Sequence, residues 1–376
     1  MQGGVRKRGS SWYYYFEAGK IDGKRKKIER KGGKTKKEAQ IALRNAIAEL
    51  ENTGSPLLES NISVADYFNY WFDNYVLTNC KYNTQQYYRR IIDGHIVPSF
   101  GSLKLKQVTS KRLQEFINKK YLEGYAKSSV AAMLGVIKKG FRMANKPYKF
   151  IKNSPAEEVK LPSYSKDFDD DNLKIISKDD FACIMNRFPE NSTFYIPLQI
   201  AFHTGMRASE VCGLTWSNVD FEKKIIKIRS IMILKKGKID IGTPKTPASK
   251  RNILIGAKLL EILKKHKNKQ EENKEKYGEY YIESDYVCTR ENGKIVTMDT
   301  IKYLSRVINY ELMIPFNFHS LRHTHATMLI EAGVNIKYVQ KRLGHDKIST
   351  TLDTYSHVTE SMEETSIKTF ENFIEE

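Results

Sequence analysis

Three hydrophobic patterns succeed one another along the chain. The first is strand-like. Trp12-Tyr13-Tyr14-Tyr15-Phe16-Glu17 is aromatic-rich, Asp22-Gly23 is a hairpin turn signal, and Lys24 to Arg30 predicts a second, very basic strand. Thr35-Lys36-Lys37-Glu38 then matches a capping box. Behind it, Ala39, Leu43, Ala46, Ile47 and Leu50 recur at helical spacing, which predicts a helix over one sheet face. The other face would carry lysine, arginine and tyrosine. Asn52-Thr53-Gly54-Ser55-Pro56 reads as a linker.

The second pattern is helical. Val64, Tyr67, Phe68, Trp71, Phe72 and Tyr75 follow a helix stripe behind a cap at Ser63, and the stripe reads as core rather than as a base-stacking platform. A second helix is expected from about Thr84 to His95, interrupted by Val97-Pro98 and Gly101. A third starts at Thr109, and a fourth runs from Ser128 or Ser129 to Asn145. Asn153-Ser154-Pro155, Leu161-Pro162-Ser163 and the acidic run Asp167 to Asp171 mark the next boundary.

The third pattern is mixed. Ser177 caps a helix to about Phe188, and another through Ile196–Thr204 precedes Gly205. Alternating apolar residues from Ile225 to Ile233, then Asn252 to Ile255, predict one short antiparallel sheet. Helices resume at Ala257, Asp299 and His319, with Lys264 to Lys276 as an exposed, charged helix end. Ser361-Met362-Glu363-Glu364 reads as a cap for a final helix with Ile367, Phe370 and Ile374 on one side.

Composition narrows the class. With 40% hydrophobic residues in 376, the chain can bury real cores, and global disorder is excluded. No apolar run approaches the ~20 residues of a membrane span, and the N-terminus lacks an apolar signal core. Cys80, Cys183, Cys212 and Cys288 are scattered without C-x-x-C spacing, so neither a disulfide framework nor a zinc ribbon is indicated, and a cytoplasmic location is expected. The formal charge of +19 is uneven. Residues 1–57 hold 14 basic and 6 acidic side chains, net +8; residues 58–156 hold 16 and 6, net +10; residues 157–376 hold 33 and 32, net +1. A polyanion is the natural partner of the first two segments.

Candidate chemistry sits in four islands of the third segment: Thr204-Gly205-Met206-Arg207-Ala208-Ser209-Glu210-Val211; Thr243-Pro244-Lys245-Thr246 with Ser249-Lys250-Arg251; His319-Ser320-Leu321-Arg322-His323-Thr324; and Leu343-Gly344-His345 with Thr354-Tyr355-Ser356-His357. Two guanidiniums, Arg207 and Arg322, suit the non-bridging oxygens of a phosphodiester under attack. The Tyr355 phenol is the nucleophile candidate. Lys245 would protonate the leaving oxygen, with Lys250 of the same loop as the weaker alternative. His319 would assist deprotonation of the tyrosine, and His345 would hydrogen-bond the phosphoryl group. His319 and His323 lie four apart, but a zincin needs Glu after the first His, and Ser320 is there. His323 and His325 read as packing or DNA-contact residues. No phosphate-binding G-x-x-x-x-G-K-[ST] motif and no carboxylate cluster for two metals is evident, so neither cofactor nor metal is expected.

Taken together, and in this order, the islands resemble the tyrosine recombinases, specifically phage and conjugative-element integrases, over about residues 170–360. The resemblance implies a multidomain α+β chain: an arm-type DNA-binding domain at 1–57, with a small three-stranded sheet plus a helix; an all-α core-binding domain at 58–160; and a mostly α catalytic domain with a small sheet at 170–376, the DNA breaking-rejoining fold. It implies that Glu210 orients active-site groups, that core and arm duplexes are bound by a homotetramer, and that strands exchange through a Holliday junction. An excision factor is a candidate accessory partner, and docking of the C-terminal tail on a neighbouring protomer a hypothesis. Arg6, Arg8, Tyr14, Arg25 and Lys27 are the candidate arm-DNA contacts, the strand face being open. The rival readings are a type IB topoisomerase and a catalytically inactive DNA-binding regulator.

Overall fold

The computed structural model describes residues 3–21, 24–53, 62–164, 174–244, 246–349, 351–352, 371 and 374. The chain divides into two units, Met1–Asp170 and Asp171–Glu376.

The first unit begins with an antiparallel sheet of three strands, β1 (Gly3–Arg8), β2 (Ser11–Ile21) and β3 (Lys24–Gly33), in that order. Helix α1 (Lys36–Thr53) covers one face. Alternation along β2 sends Tyr14 and Phe16 under the helix, where Val5, Ala42, Leu43, Ala46 and Ile47 pack on them. The box at Thr35 forms as expected. Glu38 N–H donates to Thr35 Oγ1 at 3.2 Å, and the Glu38 carboxylate accepts from the Lys34 and Thr35 amides at 2.7 and 3.4 Å.

Four helices follow. The first, α2, runs through Val64–Trp71, a π-turn at Phe72–Val76 and Leu77–Asn79, capped by Ser63. Val64, Tyr67, Phe68 and Trp71 are fully buried, so the aromatic stripe is core. The second, α3, runs through Tyr82–Ile91, a π-turn at Ile92–Ile96 and Val97–Phe100. It therefore continues past Pro98, contrary to expectation. The wide turn, closed by Val97 N–H to the Ile92 carbonyl, loosens the backbone just where proline lacks a donor and would otherwise clash. Helix α4 (Ser110–Leu122) has its expected cap at Thr109, whereas α5 (Lys127–Asn145) starts before Ser128 with no side-chain cap. Tyr67 Oη donates to the Gly140 carbonyl at 2.6 Å, and a Cβ on Gly140 would lie 2.6 Å from the Phe68 ring, so α2 and α5 touch backbone to ring there.

The second unit has α6 (Lys178–Arg187), α7 (Tyr195–Thr204) and α8 (Ala208–Cys212), then strands β4 (Val219–Asp220), β5 (Ile225–Ile228), β6 (Ile231–Lys235), β7 (Lys238–Gly242) and β8 (Arg251–Leu254). The strands make two sheets rather than one: β4-β5-β8 and the hairpin β6-β7. Helices α9 (Ala257–Tyr277), α10 (Met298–Glu311), α11 (Ser320–Glu331) and α12 (Ile336–Leu343) complete it. The charged end of α9 is exposed as expected at every lysine and glutamate from Lys264 to Lys276, with polar anchors between them. Gln270 is buried, accepting from Trp216 Nε1 at 2.7 Å and donating to Thr289 Oγ1 at 2.6 Å. A core of Ile200, Val211, Ile226, Ile253, Leu304 and Leu321, among others, takes in residues of the islands at 204–211 and 319–324.

Candidate active site

Arg207 is the N-cap of α8, and Glu210 stands one turn in. The Glu210 carboxylate, 2% exposed, accepts from Arg207 N–H and Nη1, both at 3.0 Å. It also accepts a two-pronged contact from Arg251, Nη1 at 3.0 Å and Nη2 at 2.9 Å. Burial works to raise the Glu210 pKa. The Arg251 hydrogen bond and charge, with those of Arg207, outweigh it and hold the carboxyl below its ordinary range. Glu210 is thus an ionised pivot between two guanidiniums.

Arg322, on the first turn of α11, is 1% exposed. Its Nη1 donates to the Gly205 carbonyl at 2.9 Å and its Nη2 to the Leu343 carbonyl at 2.7 Å. Those carbonyls lie two residues before Arg207 and two before His345, so one side chain ties together both segments that bear candidate residues. Both segments turn through glycine. Gly205 has φ +66 and Gly344 φ +69 as C-caps of α7 and α12. A Cβ on Gly205 would lie 2.8 Å from His325 Cδ2 and 2.8 Å from Leu343 Cδ2.

The histidines complete the cluster. His319 caps α11, with its ring edge-on to His323 at 4.8 Å between centroids. Burial, then the charges of His323, Arg322 and Arg207, lower its pKa to about 4. His345 follows Gly344, and its Nδ1 is 2.9 Å from Thr351 Oγ1. Burial, then Arg322, Arg207 and Arg251, lower its pKa to about 3. Both rings are therefore neutral at neutral pH in the DNA-free protein. An anion placed among these arginines would reverse the electrostatic part of each shift.

Two arginines to which the sequence reading gave no role tie the site to its surroundings. Arg251 donates from Nε to the Arg342 carbonyl at 2.6 Å, linking β8 to the end of α12. Arg342 donates to His325 Nε2 at 2.9 Å, to the Leu254 carbonyl at 2.9 Å and to the His203 carbonyl at 3.1 Å. His325, buried, spans the Phe202 carbonyl and Arg342, so it is a packing residue. Arg251 did carry a signal: it shares the inward phase of β8 with Ile253, an unusual place for a charge.

Lys245 and Tyr355 lie outside the described residues, as do Asp167 to Asp171 and most of the tail, including Ser361, Ile367 and Phe370. Lys250 is exposed and, with Arg229, Arg251, Lys337, Lys341 and His345, lines a cleft of about 730 Å³. In the small sheet, Arg6 and Arg8 lie on the face away from α1, where both approach Glu29. Tyr14 does not join them. Its ring is 8% exposed and stacked with Phe16 beneath α1, because the strand period puts it on the covered face, so the expectation that it contacts DNA is withdrawn. Tyr13 and Tyr15 occupy the open phase instead. The side chains of Arg25 and Lys27 are outside the described set; their backbones pair with Lys20 and Glu17.

Residues 175–362 match the family described as Phage integrase family, residues 63–121 match Phage integrase, N-terminal SAM-like domain, and residues 5–50 match Arm DNA-binding domain. The chain is 29% identical over 353 residues to a tyrosine recombinase XerC-like protein of Caldanaerobacter subterraneus, with 90% of each chain covered. It is 27% identical over 286 residues to the ICEBs1 integrase of Bacillus subtilis, with 74% of each covered. Among solved structures, it is similar in fold to the Tn1549 transposon integrase in complex with transposon right end DNA (TM-score 0.65, 20% identity, 81% of this chain and 100% of that one). It is also similar to a lambda integrase tetramer bound to a Holliday junction (TM-score 0.55, 17% identity, 91% and 92%). With half of its length matched by the main family description and nearly all of it aligned to a tyrosine recombinase-like relative, this chain belongs to the phage integrase family.

Proposed function

We propose that the chain is a site-specific DNA recombinase that integrates and excises a mobile element. The observation that carries this reading is the pair of clamped arginines, Arg207 on Glu210 and Arg322 on two turn carbonyls, with neutral His319 and His345 beside them. Such preorganised charge suits a phosphodiester passing through a pentacoordinate state. The Tyr355 phenol attacks phosphorus and gives up its proton with help from His319. The bond to the 5′ oxygen breaks, Lys245 protonates that oxygen, and a 3′-phosphotyrosyl link remains. The same steps in reverse, with the partner strand's 5′-hydroxyl, rejoin the DNA, and the bond energy is retained in the link. His345 donates to a non-bridging oxygen, and Glu210 and Arg251 act through Arg207 as positioning residues.

Three domains divide the work: 1–57 on arm duplexes, 58–160 on the core site, and 170–376 for chemistry. The working form is a homotetramer on double-stranded DNA in the cytoplasm, with an excision factor as accessory partner. The recombinase and integrase names of the relatives favour strand exchange over topoisomerase-like relaxation or an inactive regulator. The test is a nicked suicide duplex carrying the element boundary. The wild-type chain becomes covalently attached to it; Tyr355→Phe does not, and still binds the same duplex. Covalent product with the phenylalanine variant would overturn the assignment.

A further inference from the structure

The open face of the small sheet holds an acid where a phosphate-binding surface should have none. Glu29 sits on β3 opposite Tyr15, which in turn faces Gly4 on β1. The Arg6 guanidinium reaches diagonally across the central strand to Glu29. Its Nε donates to Oε1 at 2.7 Å and its Nη2 to Oε2. Arg8 Nε lies 3.5 Å from the same Oε1. Beneath them the Tyr15 ring is 5.6 Å from the Arg6 guanidinium carbon, and it fits there because Gly4 has no side chain: a Cβ at Gly4 would lie 2.7 Å from Tyr15 Oη. Arg6, Glu29 and Tyr15 thus form one fixed cluster across all three strands.

Stability does not account for it, since exposed ion pairs contribute little, and Arg6 and Arg8 are 44% and 57% exposed. Nor does bulk affinity, since a carboxylate repels phosphates. What the pair does is geometric. Glu29 takes the side-on Nε–Nη2 edge of Arg6, and the end-on Nη1–Nη2 edge, which Glu29 does not occupy, is one that can pair with guanine O6 and N7 in a major groove. Holding the arginine in place removes the rotamer entropy it would otherwise lose on binding, and neutralising it weakens its attraction to phosphates of any sequence.

We propose that Glu29 is a specificity-determining residue that presents Arg6 to a guanine of the arm-site duplex. This rests on the arm-DNA reading of residues 1–57. The experiment selects bound members from a pool of randomised duplexes with the full-length chain in a Tyr355→Phe background. Its arms are unaltered at Glu29 and Arg6, Glu29→Gln, Arg6→Gln, and a chain lacking residues 1–57. A motif enriched by the first arm and lost on deletion is the arm site. It is expected to contain a guanine whose preference falls about tenfold in both point variants. Glu29→Gln should also bind a fixed unrelated duplex more tightly, with a log–log salt slope steeper by about one. Retention of that preference in Glu29→Gln overturns the proposal and leaves the arm reading standing. Equal loss at every motif position, with a lowered thermal midpoint, assigns Glu29 a structural role and also overturns it. Absence of any deletion-sensitive motif removes the arm reading, and the proposal with it.

Discussion

Glu210 carries more than its motif position implies. Its carboxylate is the shared acceptor of Arg207 and Arg251, and it is nearly fully buried. Glu210→Gln would leave those guanidiniums facing an amide, and breaking a buried pair from one side costs roughly 3–5 kcal/mol. The expected result is a thermal midpoint lowered by many degrees and covalent trapping slowed at least about 100-fold, as for loss of a preorganised charge contact. Binding of the intact duplex should persist, since most of the excess charge lies before residue 157. Trapping at the wild-type rate would show that Arg207 needs no positioning. Arg207, Glu210, His319, Arg322 and His345 were legible because short motifs encode them. Arg251 and Arg342 were not, because their partners are backbone carbonyls and side chains brought close only by folding. Titration adds a second expectation. His95, His203, His266, His319, His323, His325 and His345 all have lowered pKa values, with burial the first cause in each. Below about pH 6.5 the unfolded chain binds more protons than the folded one, so stability falls as pH drops from there toward the folded values. Those reach about 4 for His319 and about 3 for His325 and His345. Glu210 is depressed from 4.5, so its own contribution is intact above that value and is lost as pH falls below it. Thermal midpoints measured from about pH 7.5 to pH 5 should decline steadily, and a flat profile would contradict the burial of these rings.

Helix ends, more than helix bodies, set the geometry of the site. Helix α7 stops at Gly205 and α12 at Gly344, each in the left-handed region, and Arg322 bonds one carbonyl in each turn. The helix bodies followed from hydrophobic spacing, and the caps at Ser63, Thr109 and Ser177 from their side chains. Two elements were read differently. Pro98 marked a break in the sequence, but the π-turn before it absorbs the missing donor, and a periodicity argument has no term for a five-residue turn. The strands from Ile225 onward alternate as one run, but pairing with β8 on one side and β7 on the other splits them into two sheets. Alternation reports which side chains point inward and says nothing of partners. Gly205→Ala is the sharpest test at this scale. Alanine at φ +66 is strained, and its Cβ would crowd His325 and Leu343 at 2.8 Å. The expected cost is about 1–3 kcal/mol for the backbone alone. Because the turn carries the Arg322 acceptor, trapping should slow as well. A variant that traps DNA at full rate would separate the turn from the site.

Charge and chemistry are allotted to different lengths of the chain. The segment from 157 to 376 holds the candidate active site yet is nearly neutral, with 33 basic and 32 acidic side chains, whereas residues 1–57 alone carry net +8. A polyanion is held by many cations acting at long range, while a transition state is stabilised by a few cations held at fixed distances. The second requirement is visible in the paired contacts of Glu210 and in the two carbonyls that hold Arg322. It follows that affinity and catalysis should respond to different deletions. A chain lacking residues 1–57 should show a shallower dependence of binding on salt, because fewer counterions are released on association. Its rate of covalent trapping on a saturating, short core-site suicide duplex should be unchanged, since none of Arg207, Lys245, His319, Arg322, His345 or Tyr355 has been removed. If saturating substrate does not restore the rate, residues 1–57 contribute to the chemistry itself. The +8 segment would then be part of the catalytic assembly and not a separate reader of DNA.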